Sequence, residues 1–170
     1  PAIFILFMIV GMALLGLPPI HATVFILINT LLVGISEEVM FRGILFQALR
    51  SRLSIWPSIG ITSLLFGAIH FLNIGWLGST SLAMLQAGAA FSTGMLLMAI
   101  RVRTKSLDPP IVLHAAWDFC AGTLAASAQS GIATTPQIDA TSLSVAGAYA
   151  LVTLLYALFL LRNASRPEPA

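Results

Sequence analysis

The chain has 170 residues, of which 58% are hydrophobic and only 8% charged, with a mean hydropathy of +0.98 and a formal net charge of +2. Soluble domains carry about 25% charged residues, so the composition excludes one and points to an integral membrane protein. The single cysteine, Cys120, excludes an internal disulfide and a sulfur-ligated metal site, and the scattered positive charge, without a basic run interleaved with aromatics, excludes nucleic acid as a partner.

Six apolar segments follow one another, each roughly long enough to cross a hydrocarbon core about 30 Å thick as a helix. The first covers about residues 1 to 17 and is stopped by Pro18-Pro19, which cannot continue a helix. It opens on Pro1 already in apolar sequence, without a charged leader, as it would if native sequence preceded it. The second, about 22 to 49, carries Ser36-Glu37-Glu38-Val39-Met40-Phe41-Arg42 and ends in Arg50 and Arg52. The third runs from about Pro57 to Phe71 with His70 near its end, and Asn73 to Gly78 reads as a turn at the membrane interface. The fourth, about 80 to 100, has Gly88 and Ser92 one turn apart, a small-residue spacing that lets membrane helices approach closely. Arg101, Arg103 and Lys105 then form a basic loop closed by Asp108-Pro109-Pro110. The fifth, about 111 to 127, carries His114 and Asp118, and the sixth, about 143 to 161, is featureless apart from Tyr149 and Tyr156.

Seven of the eight Lys and Arg residues fall in alternate connections, which places those connections, and both termini of this chain, on the cytoplasmic side of the membrane. The expected architecture is an all-α polytopic transmembrane bundle of about six spans. It forms one domain over residues 1–161 with its core at about 25 to 125, and residues 162–170 make a disordered cytoplasmic tail.

Six ionisable side chains sit inside these segments: Glu37, Glu38, Arg42, His70, His114 and Asp118. A charge near the bilayer centre costs about 2.5 to 3.5 kcal/mol, so such a cluster calls for partners and a function. Glu38 precedes Arg42 by four residues, the favourable order for an ion pair along one helix, and this supporting pair leaves Glu37 facing another neighbour. His114 and Asp118 share a face by the same spacing. Each histidine alone reads as an ordinary packed residue. Three helices bearing such groups satisfy them best by converging on one wet cavity, and a carboxylate with two imidazoles around water is hydrolytic equipment. His21, beside the prolines, reads as interfacial, and Ser36 as a hydroxyl bonded to a preceding carbonyl.

The ordered set Glu37-Glu38-xxx-Arg42, Phe66-xxx-His70 and His114-xxx-Asp118 resembles the CAAX-protease and bacteriocin-processing family of intramembrane proteases, which includes the Ras-converting enzymes. The resemblance implies peptide-bond hydrolysis, with Glu37 and His70 activating a water and His114 with residue 118 stabilising the oxyanion. It also implies a membrane-associated peptide or protein as substrate, prenylated in some members, met within the lipid bilayer. Many members carry Asn where Asp118 stands. Asn donates directly to an oxyanion, whereas Asp118 does so only when protonated; otherwise it orients His114 or binds metal. The cofactor expectation is accordingly none or Zn²⁺. In the zinc version His70, His114 and Asp118 are the ligands and a glutamate is the base.

Other hydrolytic signatures are missing, since no histidine belongs to a His-Glu-x-x-His helix and no Gly-x-Ser-x-Gly turn occurs. Two other classes remain open at this level. Intramembrane acids and histidines also build the relays of proton-coupled transporters, and a catalytically idle relative would serve as an immunity or scaffold protein.

Overall fold

The computed structural model describes residues 2–129 and 140–164, and every regular element among them is helical. In chain order these are α1 (Ala2–Leu15), α2 (Ile20–Glu38), a π-helical turn (Val39–Leu45), α3 (Phe46–Arg50), α4 (Ile55–His70), a 3₁₀ turn (Phe71–Asn73), α5 (Ile74–Leu77), α6 (Thr80–Thr104), α7 (Asp108–Gln129) and α8 (Ala140–Leu161). Most of the 128–142 connection and the end of the tail lie outside the described residues.

Four helical stretches are long and apolar enough to cross a membrane: Ile20–Arg50, Ile55–Leu77, Thr80–Thr104 and Leu143–Leu161. The expectation of six is thus met in four. Helix α1 has 14 residues, about 21 Å of rise and short of the hydrocarbon thickness. Helix α7 has 22 residues, but His114 and Asp118 dilute its apolar character. Large apolar side chains such as Phe25, Leu32, Ile44, Leu64, Val112 and Leu151 are exposed, as residues facing lipid are.

Some boundaries differ from those expected. Helix α1 ends before the prolines, where Gly16 adopts a left-handed φ of 82° and its N–H donates to the Met12 carbonyl. The stretch after His70 continues as helix to Leu77 instead of turning at once, and stops at left-handed Gly78. Asp108-Pro109-Pro110 opens α7 rather than closing the preceding loop, because proline suits a first turn whose N–H groups have no helical acceptor.

The chain divides into two compact units. The first joins α1 and α2 to α7. Its contact points are small residues: a Cβ added at Gly34 would lie 3.1 Å from the Ala115 Cβ and 3.3 Å from the Ile111 carbonyl oxygen. Further along α7, Gly122 meets Ile26 of α2, and Gly11 of α1 meets Leu124. Apolar tails are as soluble in lipid as in protein, so close backbone approach of this kind holds membrane helices together.

The second unit contains the π turn, α3 to α6 and α8, with α6 packed on both α4 and α8. Phe46, Ile59, Met95, Met98, Ala157 and Leu161 share one apolar core there. The Thr93 and Tyr149 hydroxyls meet at 2.7 Å between α6 and α8. The close approach of α6 to α4 does not use Gly88, around which a Cβ would meet nothing within 4 Å. It uses Gly67 of α4, where a Cβ would lie 2.8 Å from the Ala87 carbonyl oxygen and 2.9 Å from the Phe91 Cβ.

Since backbone cannot retreat as a flexible side chain can, Gly67→Ala should destabilise the purified protein by about 1 to 3 kcal/mol. Gly88→Ala should leave the thermal midpoint in detergent unchanged or slightly raised. Equal midpoints for the two variants would refute this assignment of the α4–α6 contact.

Candidate functional site

The Gly34–Ala115 contact fixes more than packing. Glu38 lies one turn beyond Gly34 on α2, and His114 and Asp118 flank Ala115 on α7, so close backbone approach carries the acids of one helix onto the imidazole of the other. His114 Nδ1 lies 2.8 Å from Glu38 Oε1, and with a carboxylate opposite it this nitrogen is the N–H donor. Glu38 is fully buried and His114 is 5% exposed.

The other edge of the ring is held more loosely. Nε2 is 3.4 Å from Asp118 Oδ2 and 3.8 Å from Glu37 Oε2, and those two side chains are 33% and 27% exposed. A buried acid thus grips one nitrogen at full hydrogen-bond strength while two half-exposed acids face the other. This is an orienting pair: Glu38 holds the ring plane through Nδ1, and Nε2 is presented to Glu37 and Asp118. The arrangement can pass a proton between carboxylates and imidazole, or place an N–H against a developing negative oxygen.

The π turn begins immediately after Glu38. Its i→i+5 bonding inserts an extra residue into a turn, a distortion frequent at functional sites, so the interval from Glu38 to Arg42 does not follow a regular α-helix. Within the second unit Arg42 is fully buried, donates from Nη2 to the Gly94 carbonyl at 3.3 Å, and sets its guanidinium carbon 4.1 Å from the Phe66 ring centre.

His70, half-buried at the end of α4, donates from Nδ1 to the Phe66 carbonyl one turn back at 2.7 Å. This bond consumes a helical lone pair and leaves Nε2 of a neutral ring as the proton acceptor. His21 is exposed, and Ser36 bonds the Val33 carbonyl at 3.1 Å, as the sequence leads one to expect of both.

Among the described residues no group of three or more His, Cys, Asp or Glu side chains could hold a metal ion. In each histidine it is Nδ1 that is engaged, with Glu38 in His114 and with a backbone carbonyl in His70, so Nε2 is the nitrogen each presents to other groups. Sequence reasoning misses the bond from His114 to Glu38, because spacing gives Glu38 a partner on its own helix. Only the small-residue register of Gly34 and Ala115 signals it.

Across residues 19–120 the chain matches the type II CAAX prenyl endopeptidase Rce1-like family. An uncharacterized 24.3 kDa protein of Escherichia coli is 34% identical over 86 residues, which cover 49% of this chain and 36% of that protein, so the chain spans only part of its curated relative. No solved structure matches.

Removing the buried Glu38 carboxylate strands the His114 N–H. Glu38→Ala should therefore lower stability by about 2 to 4 kcal/mol, more than Glu37→Ala does at its partly exposed position. Thermal unfolding of both purified variants measures the difference, and the reverse ranking would contradict the orienting role.

Proposed function

The chain belongs to the type II CAAX prenyl endopeptidase Rce1-like family, and from that premise we propose that it is an intramembrane endopeptidase acting on membrane-associated peptides. Prenylated C-terminal sequences are the first candidates. The observation that carries this reading is the His114 cluster. The family match encloses Glu37, His70, His114 and Asp118, and three of these four meet around one buried imidazole.

In the proposed reaction Glu37 takes a proton from a water molecule, with Nε2 of His70 as the second acceptor. The oxygen of that water forms a bond to the scissile carbonyl carbon, and the carbonyl π electrons move onto its oxygen. The oxyanion is met by a doubly protonated His114, whose Nδ1–H is held by Glu38 and whose Nε2–H faces the oxygen, and by Asp118 when it carries a proton. Collapse of the intermediate re-forms the carbonyl and breaks the C–N bond, and the leaving amine receives the proton held by Glu37. Glu38 and Arg42 support the site without touching substrate. The role of His70 rests on the ordered motif set, because it belongs to the second unit whereas the other three belong to the first.

We place the protein in a bacterial cytoplasmic membrane, with both termini of this chain on the cytoplasmic side by the alternation of basic connections. The reaction with Glu37 as base needs no metal, and a zinc-assisted version is separable from it by experiment.

Incubation with a farnesylated peptide ending in a CAAX tetrapeptide, beside its unprenylated control, should yield a cleaved product detectable by mass. Glu37→Ala and His70→Ala should reduce product formation by about 10²-fold or more while preserving the unfolding transition. Full activity in Glu37→Ala would remove the proposed base, and no product from the unaltered protein would favour a transporter or an idle relative. Activity should also survive exhaustive chelation; loss on chelation with recovery on adding zinc would establish the metal version instead.

A further inference from the structure

Phe66 belongs to the ordered residue set, yet the reaction assigns its side chain no task. Its surroundings suggest one. The ring is 1% exposed and lies face-on to the Arg42 guanidinium, 4.1 Å from the guanidinium carbon to the ring centre. Phe41 packs against it edge-on at 5.1 Å with the planes at 87°. The His70 ring is 4.8 Å away, tilted by 53°. The Phe66 carbonyl also receives the His70 Nδ1–H. One residue therefore contacts His70 twice, through its backbone at Nδ1 and through its ring against the imidazole face.

The other side of this arrangement is closed by Gly94. A Cβ there would stand 3.2 Å from Phe66 Cδ1 and 3.5 Å from Arg42 Nη2, and the Gly94 carbonyl accepts from that same nitrogen. Arg42 is thus fixed between a backbone carbonyl and an aromatic face, and its fixed charge holds the ring plane by attraction to the π face. Simple packing would be served equally well by Leu. A guanidinium over a ring face is an orientation-dependent contact that no aliphatic side chain reproduces.

We propose that Phe66 is the positioning residue for His70. Its ring, clamped by Arg42, sets the plane of the imidazole, while its carbonyl selects the tautomer that keeps Nε2 as the proton acceptor. Arg42 acts on the reaction through Phe66. This inference rests on the endopeptidase reading for its kinetic consequence but not for its structural one.

The test uses the full chain in detergent with ¹⁵N-histidine, the three imidazoles being assigned with His21→Asn and His70→Asn. In the unaltered protein the His70 nitrogens should report a single tautomer protonated at Nδ1. In Phe66→Leu the carbonyl remains but an imidazole no longer held in plane can turn away from it, so those lines should move toward the average of the two tautomers. With the farnesylated peptide kcat should fall about tenfold or more and KM stay unchanged, as expected for a misplaced proton acceptor.

A series of mono-, di- and trifluorinated phenylalanines at position 66 preserves shape and weakens the ring face stepwise, and it decides the matter should Phe66→Leu not fold. Graded loss of kcat and graded movement of the His70 lines support the proposal. Unchanged lines across the series, or activity that follows only the folded fraction, overturn it. If the unaltered protein cleaves nothing, the endopeptidase reading fails, while the nitrogen spectra still decide the positioning of His70.

Discussion

The hydrogen bond from His114 to the fully buried carboxylate of Glu38 is the constraint on which the first unit turns. Neither partner is tolerable alone in an apolar interior: an unpaired carboxylate there lacks solvation, and an imidazole N–H without an acceptor loses a hydrogen bond. Together they are held at 2.8 Å, and the distance depends on how closely α2 and α7 approach. Gly34 and Ala115 permit that approach because neither presents a side chain larger than a methyl group. In a lipid solvent this matters more than apolar area, since burying Leu against Leu gains little over leaving it among acyl chains. Small residues thus set the geometry, and the polar pair locks it.

The second unit applies the same logic to a cation. Arg42 is fully buried, and its neighbours there are a backbone carbonyl and aromatic faces. Arginine suits this environment because its planar, weakly hydrated cation can stack on a ring while donating in its own plane. Gly67 and Gly94 are the small residues that admit the arrangement, one by bringing α6 against α4 and the other by leaving room for the Phe66 ring and the guanidinium.

Much of this is legible in the sequence, for identifiable reasons. Helices with wholly apolar faces announce themselves by composition, so four of the six expected spans coincide with long apolar helices. The polar residues stand out because charge is rare in such sequence, and their order carries the family. Pairings across helices are not legible. A spacing of four along one helix points Glu38 at Arg42, whereas its bond to His114, 76 residues away, arises from packing. The π turn is equally hidden, since Val39 to Leu45 have no composition that distinguishes them from an α-helix. Gly88 is the more conspicuous glycine by motif, yet Gly67 makes the close contact, because a spacing pattern does not say which glycine has a backbone opposite it.

The asymmetry around His114 bears on why an aspartate can stand at 118. A residue needed to fix the imidazole would be held tightly and deeply, and Glu38 already fills that place at Nδ1. Asp118 lies instead at the looser edge, 3.4 Å from Nε2 and one-third exposed, next to Glu37 at 3.8 Å. Two carboxyl groups therefore face the same edge of one imidazole, and a proton on Nε2 has an acceptor on either side. Positions 37 and 118 thus meet at one edge of a ring whose other edge is already held, so a change at either alters what the other faces.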